Sequence, residues 1–412
     1  MSKSRGRRKR IPPERKRSRS WFARLSPEVR VIGLVVLIMG IAAGIVLWPR
    51  QKEKLQEPLT VVIPADEPTS LAFREARRSF MAQHKDLDVV LIEAEDAKLR
   101  AYEAMWRKGK SGVDLVIGGE AYLARWARAG MLEPWDDFLS RREVRLSSAA
   151  LEAGRLGTAQ QMLPVAMELP SITASAPGAV SPPDSLDALA SLASRLSAAG
   201  SPALGANWTG QWAEAVLAAT AAAGVPEERT LNMLIGGSEG ALAWWRRGIA
   251  EGWARKPGAG APRPPLFWAG ETAWFDAGDA GGARLLLPPG AAQNGTVCVV
   301  YGAQLPKRSK RKEAARSFAG DLLLSEKFQL ALAQRAGLLP AVIGVWPKLK
   351  GAEWQALTAA AARSIPLSAE LRSADVAERF AQTTVRCLNG ETPTATAAAD
   401  LARLSGARAV AP

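Results

Sequence analysis

An uncharged apolar segment, Val31–Trp48, constrains this chain more than any other feature of its sequence. Its 18 residues would form a helix about 27 Å long, which is enough to cross the hydrocarbon core of a bilayer. Trp48 stands at one end, where aromatic side chains favour the membrane interface. The segment therefore predicts one transmembrane helix over residues 31–48.

The charges on either side of this segment predict its orientation. Residues 1–30 contain twelve Lys or Arg and two Glu, which accounts for +10 of the net charge of +14. Cytoplasmic flanks of membrane spans carry the excess of Lys and Arg, so residues 1–30 are predicted to form a basic cytoplasmic tail. No aromatic side chains interleave with the cations of Lys3–Arg19, and we therefore expect no nucleic-acid partner.

A cleaved signal peptide is the alternative interpretation of the apolar segment. Such a peptide has a core of about 7–15 apolar residues followed by a small-x-small cleavage site. The core here is longer, and Ile45–Pro49 is a poor cleavage site. We therefore expect an uncleaved single-pass anchor in the cell membrane, a linker over residues 49–58 and an extracytoplasmic domain over residues 59–412.

Strand-like and helix-like runs alternate at the start of this domain. Strands are predicted at Leu59–Ile63, Val89–Ile92 and Val113–Ile117, and helices at Leu71–His84, Ala97–Lys108 and Glu120–Ala129. This order is typical of an α/β fold in which helices cover a parallel sheet. Ligands of such sheets bind at the carboxyl ends of the strands. Asp66, Glu67 and Glu120 follow predicted strands and are therefore candidate ligand-binding residues.

Regular structure is also predicted in the second half of the chain. The expected helices cover residues 185–199, 212–223, 239–252, 313–328, 329–336 and 374–388, and the expected strands cover residues 283–287 and 296–300. The domain is too long for one small core, so two lobes are expected.

Cysteine and histidine are scarce. The chain has one histidine, His84, and two cysteines, Cys298 and Cys387. This composition excludes most metal frameworks and every His-dependent catalytic dyad except one that uses His84. We expect no metal, no cofactor and no enzymatic activity.

Several short motifs occur in the order found in one known family. They are Leu59–Phe80, Gly112–Ile117, Tyr122–Phe138, Leu163–Glu168, Gly270–Phe275, Leu287–Pro289, Lys312–Leu323, Gly337–Ala341 and Val385–Gly390. Together they resemble the extracellular solute-binding proteins of ABC transporters, especially the maltose-binding-like, carbohydrate-type group. The resemblance covers roughly residues 59–405.

The resemblance implies a periplasmic-binding-protein-like fold with two α/β lobes that close around a ligand. Lobe 1 would hold about 59–165 and 289–335, and lobe 2 about 169–286 and 340–412. Glu168 would contact the ligand from the first crossover between lobes, and Trp208, Trp212 and Trp274 would lie near the cleft. Asn207 is a further candidate because an amide can both donate to and accept from a hydroxyl. The cysteines would lie in different lobes as separate buried thiols.

The expected ligand is a small solute, a sugar or an oligosaccharide, which the protein would deliver to an ABC permease in the same bilayer. Aromatic rings pack against sugar C–H faces while carboxylates and amides bond to hydroxyls. A polyamine or another cation remains an alternative, because carboxylates and Trp also bind cations. An alternative function is that of a sensory or ligand-free anchored module, since Ile172–Ser175 replaces the Tyr-Asn pair usual in the family.

Overall fold

The computed structural model describes residues 57–65, 67–94, 96–110, 112–119, 123–175, 182–197, 201–224, 237–258, 263–270, 284–367 and 374–405. Residues 58–412 form one compact unit, separate from residues 1–57. The predicted membrane segment, 31–48, lies outside the described residues. Among the helices that the structure describes, none is both long and apolar enough to span a membrane.

The described strands are β1 (Leu59–Pro64), β2 (Val89–Ala94), β3 (Leu115–Gly119), β4 (Leu132–Glu133), β5 (Arg155–Leu156), β6 (Ala159–Gln160), β7 (Leu163–Glu168), β8 (Ser171–Ala174), β9 (Leu204–Ala206), β10 (Leu266–Ala269), β11 (Arg284–Leu286), β12 (Val297–Pro306), β13 (Leu339–Pro340) and β14 (Ile365–Pro366). The described helices are α1 (Glu67–Gln83), α2 (Asp96–Arg107), α3 (Leu123–Arg128), α4 (Asp136–Ser140), α5 (Ser148–Gly154), α6 (Leu186–Leu196), α7 (Gly210–Gly224), α8 (Ser238–Glu251), α9 (Ala291–Asn294), α10 (Lys312–Phe318), α11 (Glu326–Ala336), α12 (Ala352–Ala361), α13 (Ala374–Leu388) and α14 (Thr394–Leu404).

Two sheets organise these elements. The larger sheet has the order β13-β7-β12-β3-β1-β2, with β4 and β14 also pairing to β12. Strands β1, β2 and β3 are parallel, as predicted, whereas β12 runs antiparallel to both β3 and β7. The smaller sheet has the order β11-β8-β10-β9. Each sheet has its own apolar core, and we call the two halves lobe 1 and lobe 2.

The chain passes from one lobe to the other near the expected positions. Strand β7 ends at Glu168 in the larger sheet, and β8 begins at Ser171 in the smaller one. The return lies between β11, which ends at Leu286, and β12, which begins at Val297. The two sheets are therefore joined by crossovers at residues 169–170 and 287–296.

The predicted lobe map differs from the structure after residue 339. The sequence analysis assigned 340–412 to lobe 2, but Ala341, Leu349 and Leu357 are buried in the core of lobe 1. Strand β13 explains the difference, because its Leu339 pairs with Met167 of β7 and so holds the following segment on the larger sheet. Of the described elements after residue 339, α13 and α14 return to the core of lobe 2.

The predicted helix over 313–328 is also interrupted. Helix α10 ends at Phe318, a π-helical turn follows over Ala319–Leu323, and α11 begins only at Glu326. The hydroxyl of Ser325 accepts from the Phe328 N–H and caps the new helix. A capping residue inside an otherwise helical pattern therefore starts a second helix.

The tryptophans of lobe 2 form a packed cluster. Trp244, Trp245 and Trp253, whose positions on or just after helices predict packing residues, are all buried. The Trp244 and Trp245 rings lie edge to face, with centroids 5.1 Å apart. Such aromatic pairs contribute about 0.5–1.5 kcal/mol beyond their buried area. This cluster gives the smaller sheet a core of its own.

The two cysteines occupy different cores. Cys298 lies on β12 in lobe 1 and Cys387 on α13 in lobe 2, and both are buried free thiols. Burial raises the pKa of the Cys387 thiol, against the opposing charge of Arg246. The prediction of two separate buried thiols is confirmed.

Asp114 ties the start of the domain to lobe 1. This buried carboxylate accepts from the Thr60 N–H at 3.0 Å and from the Ser309 hydroxyl at 2.8 Å. It thereby joins β1, the connection before β3 and the loop after β12. Three separate segments of the larger sheet depend on this one side chain.

We expect Asp114→Ala to lower the free energy of unfolding by about 1.5–3 kcal/mol, because hydrogen bonds to a charged group are lost and the partly buried Thr60 N–H loses its acceptor. Urea unfolding measures the change. The control is Asp137→Ala, which removes an exposed carboxylate and should change stability by about 0.5 kcal/mol or less. Equal effects of the two substitutions would contradict the role given to Asp114.

Candidate functional site

A cleft of about 440 Å³ lies between the two lobes. Lobe 1 contributes the carboxyl end of β3, part of β12 and residues of α2 and α3, whereas lobe 2 contributes the beginnings of α7 and α13. The lining residues are Leu99, Arg100, Val116, Gly118, Gly119, Trp126, Thr209, Gly210, Gln211, Trp212, Tyr301, Gln304, Ala377 and Glu378. The cleft thus lies at the carboxyl end of β3, and ligands of parallel sheets bind at the carboxyl ends of the strands.

Glu168 lies beside the cleft at the first crossover. Its side chain is buried, and its Oε2 accepts from the Tyr301 hydroxyl at 2.7 Å. A Cβ on Gly270 would lie 2.5 Å from Glu168 Oε1 and 2.5 Å from Trp212 Cη2. Glu168 and Trp212 therefore close around a position that only glycine can occupy without displacing them. The structure brings these two predicted site residues together.

Two amide side chains from opposite lobes, Gln211 and Gln304, line the cleft. Gln304 is 1% exposed, and its Nε2 lies 3.4 Å from the Gly119 carbonyl. Among the described residues, no donor reaches Gln304 Oε1 or Gln211 Oε1, although both atoms are buried. The Gln211 amide also lies close to Gly119, since Nε2 would be 3.5 Å from a Cβ there. A buried acceptor without a donor costs about 1–3 kcal/mol, which a ligand hydroxyl would recover.

An ion pair spans the rim of the cleft. Arg125 of α3 contacts the Asp375 carboxylate of α13, with Nη1 and Oδ2 3.0 Å apart. The same guanidinium donates from Nε to Glu103 Oε1 at 2.9 Å. Because Arg125 belongs to lobe 1 and Asp375 to lobe 2, this pair joins the lobes directly.

Glu103 holds that arginine in place. It is almost fully buried and also accepts from Arg107 at 2.8 Å and from the Trp126 indole at 3.1 Å. Burial raises the pKa of Glu103, but the bonds from Arg107 and Trp126 and the charge of Arg125 outweigh it, so that the pKa falls below its usual value. Glu103 is therefore ionised at neutral pH, and its carboxylate holds Arg125 at the rim of the cleft.

Helix α7 packs directly on lobe 1. Its Ala215, Ala218 and Ala222 recur at helical spacing and lie against Val297 and Val299 of β12. Small side chains let the helix and the strand approach closely. This apolar contact lies behind the cleft and joins the lobes along α7.

Asn207 and Trp208 lie away from the cleft lining. Asn207 Oδ1 accepts from Thr209 N–H at 3.1 Å and from its hydroxyl at 2.6 Å, a local turn that leads into α7. Trp208 is 7% exposed and packs edge to face on Trp245. Both residues line a second cavity on lobe 2. Their predicted ligand contacts remain predictions, and the geometry gives each residue a structural task.

The other four predicted site residues lie outside the described part of the chain, either wholly or by their side chains. Asp66, Glu120 and Trp274 lie outside the described residues, as does the side chain of Glu67. The backbone of Glu67 begins α1, directly after β1. Ligand contacts by these four residues also remain predictions.

Gln211, Tyr301 and Gln304 line the cleft but were not predicted from the sequence. Tyr301 and Gln304 are three residues apart on β12, a strand that is buried along nearly its whole length. A glutamine within such an apolar run is the one signal that could have marked it, because a buried amide requires partners. Gln211, next to the candidate Trp212, carried no separate signal.

Comparison with known proteins identifies the family. Residues 55–329 match the model of the bacterial extracellular solute-binding proteins, and the chain belongs to this family. No curated protein sequence matches the chain significantly.

Solved structures share the fold. Maltose-bound MalE3 of T. maritima is 16% identical, with a TM-score of 0.66 and coverage of 85% of this chain and 99% of that chain. The sugar-binding protein MalE of Xanthomonas citri is 14% identical, with a TM-score of 0.70 and coverage of 85% and 97%. The GacH receptor of Streptomyces glaucescens is 16% identical, with a TM-score of 0.68 and coverage of 85% and 98%. The domain therefore has the two-lobed α/β fold of periplasmic binding proteins.

The lowered pKa of Glu103 predicts a pH-dependent contribution to stability. A carboxyl group with a folded-state pKa below its unfolded value stabilises the fold above the unfolded pKa of about 4.3, and this stabilisation is lost as the pH falls through the folded pKa. We expect the stability difference between the unmodified chain and Glu103→Gln to be largest near neutral pH and to shrink below about pH 4.

Chemical unfolding at several pH values measures this difference. Glu313→Gln is the control, because Glu313 pairs with Arg316 at an exposed position. Its stability difference should be small and nearly constant. A difference for Glu103→Gln that stays constant down to pH 3 would contradict the assignment.

Proposed function

We propose that this protein is a membrane-anchored, extracytoplasmic receptor of an ABC import system that binds a neutral sugar or oligosaccharide between its lobes. The observation that carries the proposal is the pair of buried amide acceptors, Gln211 and Gln304, in the cleft. Hydroxyl groups are donors that fit such acceptors. The half-buried ring of Trp212 beside them offers a surface for the C–H face of a sugar ring.

The charges of the cleft favour a neutral ligand over a polyamine. The described lining contains one cation, Arg100, and one carboxylate, Glu378. The buried Glu168 already accepts from Tyr301. A polycation would need several carboxylates directed into the cleft, and the described lining offers amides, hydroxyls and backbone instead.

The known relatives support the same class of ligand. One structure contains maltose, a second is described as a sugar-binding protein, and a third was determined with acarbose. Their identity to this chain is low, so the specific contacts are argued from the residues of this cleft. Family membership supports delivery of the solute to a permease.

Lobe closure is the proposed binding motion. The lobes are joined by the crossovers after β7 and β11, by the passage from β14 to α13 and by the contact of α7 with β12. The proposed motion opens the rim at which α3 and α13 meet. The Arg125–Asp375 pair closes that rim and can form only when the lobes approach. Ligand bound to both Gln211 and Gln304 would favour the closed state, because the two amides belong to different lobes.

Thermal unfolding of the chain from residue 58 to 412 against mono- and oligosaccharides and polyamines tests the ligand class. Free sugar at a hundred times its Kd should stabilise the domain by about 2.7 kcal/mol. Gln304→Leu should weaken sugar binding roughly 10- to 100-fold, because the hydroxyl loses its acceptor. It should change the stability of the ligand-free domain little, since the oxygen removed has no donor among the described residues and the Nε2 bond lost with it, to the Gly119 carbonyl, is long at 3.4 Å.

Gln329→Leu is the matched control. Gln329 is also buried in lobe 1, but its Nε2 donates to the Val165 carbonyl at 2.9 Å and to the Leu323 carbonyl at 2.7 Å. This substitution should destabilise the domain and leave the affinity for sugar unchanged. Stabilisation by polyamines alone, or no stabilisation by any compound, would overturn the proposed ligand class.

Anchoring by residues 31–48 is tested in membranes of cells that make the full chain. We expect the intact chain to stay in the membrane pellet after alkaline carbonate extraction, because a spanning helix is not released by charge screening. The control chain, which carries a cleavable signal peptide in place of residues 1–57, should be released. Recovery of soluble protein whose N-terminus lies just after residue 48 would show a cleaved signal peptide instead.

A further inference from the structure

The loop that follows β12 carries a dense group of cations. Its sequence over residues 307–312 is KRSKRK, and the side chains of Lys307, Arg308 and Lys310 are exposed. None of these three residues takes part in the cleft between the lobes.

The loop is held in a fixed conformation. Ser309, at its centre, is buried, and its hydroxyl donates to Asp114 at 2.8 Å. The Lys307 N–H donates to the Met131 carbonyl at 2.7 Å. Lys312 at the end of the loop pairs with Glu133 at 2.7 Å. The exposed cations on either side of Ser309 therefore project from a backbone that is fastened to lobe 1.

The position of the loop is set by Asp114. The same carboxylate that binds Ser309 also binds the Thr60 N–H, near the start of β1. The loop consequently lies at the end of the larger sheet at which β1 begins. Two further exposed cations, Lys108 and Lys110, lie in the connection that leads to β3 at this end. We name the group Lys108, Lys110, Lys307, Arg308 and Lys310 the basic edge.

The basic edge and the cleft lie at opposite ends of the same strands. Gly118 and Gly119, at the carboxyl end of β3, line the cleft, whereas Asp114 precedes the amino end of that strand. Five residues of strand at about 3.3 Å each separate the two ends by about 17 Å. A surface in contact with the basic edge therefore leaves the cleft uncovered.

We infer that the basic edge binds the anionic headgroups of the membrane to which the protein is tethered. This inference rests on the proposed anchor. The segment between the proposed span and the domain, residues 49–58, can extend at most about 35 Å, so that the basic edge stays within reach of the lipid surface. Acidic phospholipids supply the complementary charge, and each Lys or Arg near such a surface strengthens binding roughly fivefold.

Contact through the basic edge gives the domain a defined orientation. The amino ends of β1 and β3 face the lipid, and the cleft opens on the side away from it. Solute therefore reaches the cleft without obstruction by the bilayer. Because the contact consists of exposed charges, it weakens as salt rises and permits the domain to reorient on its linker.

The test uses the chain from residue 58 to 412, which contains both cores in one compact unit and lacks the anchor and the basic tail. Sedimentation with vesicles compares phosphatidylcholine alone with an equimolar mixture of phosphatidylcholine and phosphatidylglycerol. We expect binding to the mixed vesicles only, and its loss in concentrated salt. The triple substitution Lys307→Gln, Arg308→Gln and Lys310→Gln should weaken it on the order of 100-fold.

The matched control removes three exposed arginines from lobe 2 by Arg195→Gln, Arg284→Gln and Arg386→Gln. It changes the net charge equally and should leave vesicle binding within about twofold of the unmodified chain, since those residues lie away from the basic edge. Equal losses in both triple variants, or no binding to the mixed vesicles, would overturn the inference. Competition by inorganic phosphate at concentrations too low to screen charge would instead assign the basic edge to a small anion.

A soluble acidic polymer provides a further comparison. Binding to polyglutamate without binding to the mixed vesicles would assign the basic edge to an acidic macromolecule and exclude the lipid surface. Sugar binding by the triple variant is measured in parallel by thermal unfolding. It should equal that of the unmodified chain, so that loss of vesicle binding with intact sugar binding separates this inference from the proposed ligand function.

Discussion

The pairing of β12 between β3 and β7 is the interaction on which the rest of the structure depends. This strand of ten residues is buried along nearly its whole length and runs antiparallel to both neighbours. It also pairs with β4 and β14 and receives α7 of lobe 2. One strand therefore completes the larger sheet, supports the contact between lobes and presents Tyr301 and Gln304 to the cleft.

The polarity of the cleft follows from this arrangement. A buried strand can carry a polar side chain only where that side chain finds partners or where a ligand supplies them. Tyr301 has its partner in Glu168 at the first crossover. Gln304 has a partner for its amide nitrogen in Gly119, while its oxygen has none among the described residues. The same strand thus contains one satisfied polar group and one acceptor that suits a hydroxyl.

Much of lobe 1 could be predicted from the sequence because its signals are local. The runs at Leu59, Val89 and Leu115 form parallel strands, and the helices between them were predicted within a few residues. The boundary after residue 339 was wrong because it depends on the pairing of Leu339 with Met167, which are far apart in sequence. Of the candidate site, Glu168 and Trp212 were found through family motifs, whereas Gln304 was hidden in an apolar strand.

The sequence by itself determined the family, the order of the elements, the two crossovers and the segregation of charge between the tail and the domain, because each depends on residues close together in the chain. Only the tertiary structure decided which polar groups face the cleft and which are satisfied elsewhere. Asn207 is engaged in a local turn, whereas Gln211 and Gln304 line the cleft from opposite lobes. Whether a polar group finds a hydrogen-bond partner depends on neighbours that distant segments of the chain supply. The spacing of residues along the chain therefore does not predict it.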